Sequence, residues 1–212
     1  MTPLVIRVLR SRVLLLVVRA TVLPSFMSSD VTRFRVPGHV GFCNALRRTL
    51  LSDIRTEAPA SVCMKINVTC HTDEYIAHRV GLLPFRRVGN GDTLTLHVTG
   101  PCAVTCAHFT GPSFEPIHPD IDLLYLDVGH ELSMEVTFDE RDAATHARYS
   151  PCYAVGMARD PDASDDAYVI SLGSNDHRTP AQLLREAFDH LDARLDRALR
   201  LLADDVACES YI

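Results

Sequence analysis

Phe42-Cys43-Asn44-Ala45-Leu46-Arg47-Arg48-Thr49-Leu50-Leu51 is the stretch from which the fold can be read. Phe42, Leu46 and Leu50 recur at i, i+4 and i+8, so a helix over 41–51 gathers them on one face. Asn44, Arg47 and Arg48 project from its other sides. Upstream, residues 31–36 (Val-Thr-Arg-Phe-Arg-Val) alternate apolar and polar as a half-buried strand does, and Pro37-Gly38 breaks it. Downstream, the helix should fade over 52–58, before Pro59.

A second amphipathic helix lies at the far end. Thr179 can cap it, Pro180 sits at its first position, and it runs to about Leu202. Leu184, Phe188, Leu191, Leu195, Ala198 and Leu202 are spaced 4, 3, 4, 3 and 4, a heptad-like seam. Such a seam can lie on its own domain's sheet or against a second chain. Residues 168–172 form a strand just before it.

Between these ends the periodicity is that of strands. Val62, Met64, Ile66 and Val68 share one side of a strand over 61–70. Thr72-Asp73-Glu74 starts a short helix that ends near Val80, with Gly81 as its C′ residue. Residues 82–85 form an apolar loop and 89–92 a turn. Strands follow at 93–99 and 131–139, the latter alternating Leu132, Met134, Val136 and Phe138. Residues 100–120 read as short strands and loops. Residues 160–166 (Asp-Pro-Asp-Ala-Ser-Asp-Asp) read as an acidic linker. The fold class is therefore α+β.

Composition bounds the possibilities. The chain has 212 residues, 47% hydrophobic and 23% charged, which is globular. Its net charge of −6 argues against free nucleic acid as a ligand of the whole chain. Residues 1–56 nevertheless carry nine arginines against two aspartates. The longest uncharged apolar run near the start, 13–18, is six residues, against about 20 for a membrane span. Residues 1–26 read as a strand near 17–23, or as a start placed too early with Met27 as the working start, ahead of a signal peptide. Seven cysteines, an odd number without a Cys-x-x-Cys pair, favour reduced thiols in an intracellular compartment. Nucleus, cytoplasm and virion or viral factory fit that equally well.

Three clusters invite a chemical reading. Cys102, Cys106 and His108 fall within seven residues and could begin a zinc site, completed by Cys63, Cys70 or His71. On that reading the chain would be a small metal-dependent hydrolase; the ordinary alternative is buried thiols in β structure. His78-Arg79 has no carboxylate pair or nucleophile spaced around it, so a structural histidine is expected. The acids around 120–122 and 139–142 read as solvated turns before they read as magnesium ligands. No glycine-rich phosphate loop occurs.

The 42–51 stretch, together with Asp73-Glu74-Tyr75-Ile76-Ala77-His78-Arg79-Val80-Gly81-Leu82-Leu83-Pro84, resembles the alpha-like subunit of multisubunit RNA polymerases, in its archaeal D and eukaryotic third-largest branch. Thr99-Gly100-Pro101-Cys102-Ala103-Val104-Thr105, Thr145-His146-Ala147-Arg148-Tyr149-Ser150-Pro151 and the closing strand and helix follow in that family's order. The resemblance covers about residues 30–202. It implies a discontinuous dimerisation domain over 17–56 and 167–212, with a β-rich domain inserted at 57–166. It implies a non-catalytic subunit that pairs with a smaller alpha-like subunit and forms a platform for the second-largest subunit. Other small polymerase subunits would join, DNA would be met only through the complex, and no membrane is involved.

Carried over residue by residue, Phe42, Leu46, Leu50, Leu184, Phe188, Leu191, Leu195 and Leu202 would form the dimer layer. Asn44, Arg47, Arg48, His78 and Arg79 would face large-subunit surfaces. Eukaryotic members commonly carry a four-cysteine zinc loop and some archaeal ones iron–sulfur clusters. No matching cysteine set occurs here, so no metal and no cofactor is inferred. Arg148 stands where the family usually has lysine.

Overall fold

The computed structural model describes residues 21–23, 31–163 and 166–209. The readings for residues 1–20 and 24–26 lie outside these. The chain divides into two compact units. One runs through Ile54, takes in Pro151–Ser174 and resumes at Arg178; the other is Arg55–Ser150 with Asn175–His177.

The first unit is a four-stranded antiparallel sheet with two helices on one face. In spatial order its strands are β1 (Thr21–Leu23), β2 (Val31–Pro37), β11 (Ala167–Ser174) and β10 (Cys152–Arg159). The helices are α1 (Val40–Ser52) and α3 (Pro180–Glu209). Phe34 and Val36 of β2 and Ile170 and Leu172 of β11 project to one side, as the period of two requires. There they pack against Cys43, Leu46 and Leu50 of α1 and Leu183, Leu184, Ala187 and Phe188 of α3. Thr179 and Gln182 cap α3 reciprocally: the Thr179 hydroxyl accepts from the Gln182 N–H at 3.3 Å, and Gln182 Oε1 accepts from the Thr179 N–H at 2.8 Å. The expected strand at 31–36 and helix at 41–51 are present within a residue of their bounds.

β10 departs from the sequence reading, which placed residues 151–166 with the inserted stretch. It pairs with β11, so it completes the first unit's sheet. Its register slips between Tyr153 and Gly156, where Ala154 takes φ 51°, and that bulge erases the alternation that would announce a strand. Asp160 at its end is not part of a solvated linker; it is buried and paired with Arg35.

The second unit centres on the antiparallel order β3 (Arg55–Val68), β9 (Glu131–Asp142), β5 (Thr93–Thr99). Smaller pairs are β4 (Phe85–Arg87) with β7 (Phe114–Pro116), and β6 (Cys102–Thr105) with β8 (Asp122–Leu126). One short helix, α2 (Asp73–Gly81), packs on them. Leu132, Met134, Val136 and Phe138 of β9 are buried, with Leu94 and Leu96 of β5 beside them. Phe114 and Phe138 stack with ring centroids 3.7 Å apart.

β3 begins six residues earlier than the sequence suggests. Pro59 sits inside it and not beyond a helix end, because β3 is an edge strand and its register slips at Pro59/Ser61, where the missing N–H is harmless. A second slip at Met64/Ile66 breaks the expected single face: Val62 and Met64 pack on the core, whereas Ile66 and Val68 are exposed.

Candidate functional site

The α1–α3 pair carries most of the residues singled out for docking. His39 starts α1, its Nδ1 accepting the Gly41 N–H at 3.1 Å and its carbonyl the Cys43 N–H at 3.1 Å. The apolar face then turns inward. Leu46, Leu50, Leu184 and Phe188 are completely buried in this chain's own core and Leu191 is nearly so. Phe42 is half-buried, its ring 6.0 Å from that of Phe188. Burial pushes the Cys43 thiol on this face up to about 11. These side chains therefore hold α1, α3 and the sheet together, and what a second chain could touch lies past them.

Beyond Leu191 the core stops and α3 does not. Over residues 193–202 every side chain except Asp196 is exposed. Leu195 is 45% exposed, Leu199 38%, Leu201 60% and Leu202 62%. At 1.5 Å per residue this is about 15 Å of helix left uncovered among the described residues. Leu195, Leu199 and Leu202 are spaced 4 and 3, so they share a stripe. Leu199 joins Leu195 and Leu202 on this stripe, and Ala198 of the heptad-like seam lies beside them, next to Leu191 and Leu195.

Where the stripe leaves the core, α1 and α3 frame a cavity of about 420 Å³. Ala45, Thr49, Leu191, Leu195 and Ala198 line it, and Arg48, Ser52, Asp53 and Arg194 give it a polar rim. Arg194 Nη1 is ion-paired with Asp53 at that rim, and Ser52 donates to Asp53. Asp53 and Arg194 are 141 residues apart, and no sequence signal joins them.

The polar side of α1 holds one arginine fixed and one free to reach. Asn44 Oδ1 accepts from Arg47 Nε at 3.1 Å and Nη2 at 3.0 Å, which fixes the guanidinium plane. Arg48 is exposed.

In the second unit, Thr72 caps α2 by accepting the Tyr75 N–H at 3.4 Å. His78 is exposed. Arg79 is committed to its own unit: Nη2 donates to the Asp122 carbonyl at 2.9 Å and the guanidinium carbon lies 5.9 Å from the Tyr75 ring centroid. Gly81 is the last helical residue of α2, not a left-handed C′, since the helix closes on Leu82 at φ −96°. It is glycine for another reason. A Cβ there would stand 3.0 Å from Arg148 Nη1. That nitrogen donates to the Pro59 carbonyl at 2.8 Å and the Ala60 carbonyl at 3.3 Å, spanning the slip in β3. Arg148 thus ties together the 73–84 and 145–151 motifs, a role that distance in sequence conceals.

The cysteine–histidine cluster serves local structure. His108 Nδ1 accepts the Thr105 N–H at 3.1 Å, Cys102 Sγ donates to the Thr99 carbonyl at 3.6 Å, and burial pushes the Cys106 thiol up to about 11. No three His, Cys, Asp or Glu side chains converge on a metal-sized site among the described residues. The acids at 139–142 have protein partners: Asp139 takes Arg141, Glu140 takes Arg55 and Asp142 accepts the Thr145 N–H. A thiol at about 11 and a histidine occupied by a backbone N–H offer neither a ready thiolate nor a free base.

No family model matches the chain. Among characterised proteins it is similar to DNA-directed RNA polymerase subunit Rpo3 of Methanocaldococcus jannaschii, 29% identical over 173 residues, 80% of this chain and 88% of the relative. The Rpo3 subunit of Pyrococcus furiosus is 30% identical over 137 residues, 58% of this chain and 52% of the relative, so the chain spans about half of that protein's length. Subunit 3 of the Arabidopsis thaliana DNA-directed RNA polymerases II, IV and V is 44% identical over a shorter stretch of 59 residues, 27% of this chain and 18% of the relative. Archaeal and eukaryotic matches of this kind, on a sheet-and-helix unit interrupted by a β-rich one, agree with the motifs at 42–51 and 73–84: the chain is similar to the alpha-like subunits of multisubunit DNA-dependent RNA polymerases, in their archaeal D and eukaryotic third-largest branch.

Proposed function

We propose that this chain is a non-catalytic, intracellular assembly subunit of a DNA-directed RNA polymerase. It pairs with a smaller alpha-like subunit through the exposed stripe Leu195–Leu199–Leu202 and the adjoining α1–α3 cavity. The observation that carries this is the overhang of α3, where four leucines stay exposed after the core has been filled by Leu46, Leu50, Leu184 and Phe188. Fully burying an exposed leucine releases roughly 1.5–3 kcal/mol, and these four, 38–62% exposed, would each release a part of that on being covered. The polar side of α1 then faces the second-largest subunit. Asn44 holds the Arg47 fork in one plane, which suits bidentate contact with a carboxylate, and Arg48 extends the same surface. His78 is the exposed member of its pair and adds a contact from the second unit; Arg79 supports it from within. Other small subunits dock around this core, and DNA is reached only through the whole assembly.

The test is capture. A tagged full chain should co-purify a smaller alpha-like polypeptide and the large subunits, identified by mass spectrometry. Leu199→Asp with Leu202→Asp should abolish that while leaving the far-UV circular dichroism of the chain unchanged. Leu191 is too buried to serve, because a charge there would unfold the unit. Undiminished capture by the double variant would overturn the proposal.

A further inference from the structure

The face of the four-stranded sheet turned away from α1 and α3 carries a second candidate surface. Two cross-strand rows lie on it: Arg33–Ser171–Gly156 and Arg35–Val169–Ala158. With Asp160 and Asp162 at one end, they line a concavity of about 560 Å³, within the range of ligand sites. The floor carries the small side chains of Gly156, Ala158, Val169 and Ser171; Arg33 and Arg35, two residues apart on one strand and so about 6.6 Å apart along it, stand on one side, and Arg159 also lines the trough.

Those arginines differ in how they are held. Asp160 is buried, its side chain only 2% exposed, and its Oδ2 takes Arg35 Nε. Its Oδ1 accepts the Asp162 N–H at 3.1 Å. Burial pushes the Asp160 carboxyl up, but the Arg35 hydrogen bond, the Asp162 N–H and the Arg35 charge outweigh it and hold the group below the usual carboxylate range. Arg35 is thereby fixed through Nε, with its terminal fork outside that ion pair and 38% of the side chain exposed. Arg33 is exposed, with no hydrogen-bond or ion-pair partner among the described residues.

We propose that this trough is a docking site for an extended acidic segment of a partner polypeptide, with carboxylates at alternate positions meeting Arg33 and the pre-positioned fork of Arg35. Charge complementarity and spacing both point there. Alternate side chains of an extended peptide repeat at about 6.6 Å, the interval between the two arginines. The floor of Gly156, Ala158, Val169 and Ser171 accommodates the aliphatic stems of glutamates. None of these residues belongs to the α3 stripe, so failure here would leave the polymerase assignment standing, and the reverse also holds.

The experiment is fluorescence anisotropy of the full chain with a labelled Glu-Ser-Glu-Ser-Glu peptide. Controls are a peptide of the same composition with contiguous glutamates, and a short oligothymidylate. The alternating peptide should bind best, and added salt should weaken it. Arg33→Gln, at an exposed position, should lower affinity roughly fivefold or more. Arg35→Lys keeps the charge and loses the fork, and should weaken binding to a similar degree. Asp160→Asn should also weaken it, although it removes a negative charge from the trough; a surface that works by net charge alone would bind more tightly. Each variant is checked for a native thermal melt, and Arg33→Gln with Arg35→Lys suffices if Asp160→Asn fails to fold. The proposal is overturned by Arg35→Lys binding as wild type, by an unaffected Arg33→Gln, or by the oligothymidylate binding more tightly than the peptide.

Discussion

Leu46→Ala and Leu199→Ala remove the same atoms from two helices of the same unit, and the structure assigns them opposite consequences. Leu46 has no exposed surface and sits among Phe34, Leu50, Leu184 and Phe188. Its truncation leaves a cavity that close-packed neighbours fill only in part, at a cost of roughly 3–5 kcal/mol. In a chain of about 200 residues each kcal/mol moves the melting temperature by roughly 2–4 °C, so a fall of about 6–20 °C is expected. Leu199 is 38% exposed on the overhang, and its truncation should move the melt by less than about 0.5 kcal/mol. Partner capture should follow the reverse order at a temperature where both variants are folded: Leu46→Ala retains it, and Leu199→Ala weakens it. Thermal unfolding by circular dichroism and quantitative co-purification read the two effects separately. A Leu199→Ala melt as depressed as that of Leu46→Ala would mean the overhang is already covered by its own chain, and the division between core and docking residues would be wrong.

Three further outcomes follow from the geometry. Gly81→Ala places a methyl 3.0 Å from Arg148 Nη1, so the guanidinium must shift by a few tenths of an ångström against the Pro59 and Ala60 carbonyls; a loss of about 0.5–1.5 kcal/mol is expected in denaturant unfolding, and an unchanged midpoint would refute the clamp. Asp160 has a folded pKa below its unfolded value, so the unfolded state binds more protons. Its contribution is therefore present above about pH 3.9 and lost as pH falls through the folded pKa; Asp160→Asn should flatten the acid limb of stability against pH, and an identical limb would contradict the pairing. Cys43 and Cys106, buried and pushed to about 11, should resist iodoacetamide at pH 8 until the chain is denatured, while exposed Cys63 and Cys70 react; peptide mass spectrometry that finds Cys43 modified in the native chain would refute the burial.

The elements that were legible are those whose apolar period matches a single regular structure. Phe42, Leu46 and Leu50 marked α1, and Leu132, Met134, Val136 and Phe138 marked β9, because each set lies on one uninterrupted face. Interruptions hid the rest. Pro59 looked like a helix terminator, yet an edge strand with a bulge tolerates it. β10 was invisible because its register slip at Tyr153/Gly156 cancels the alternation. Asp160 read as linker because its partner, Arg35, is 125 residues away. The docking residues fail for a different reason. Periodicity reports that a face is apolar and not what covers it, so Leu46 and Leu202 look alike in sequence, although one is sealed in the core and the other is 62% exposed.

The most direct measurement is backbone hydrogen exchange over residues 193–202, compared between the purified full chain and the same chain within the purified polymerase assembly. A helix that is solvated on its leucine stripe frays and exchanges fast, whereas the same helix seated on a partner opens only when that partner leaves. The account predicts strong slowing of exchange in this segment on assembly, with residues 183–191 already protected in both states. Equal protection of 193–202 in the free chain and in the assembly would contradict it.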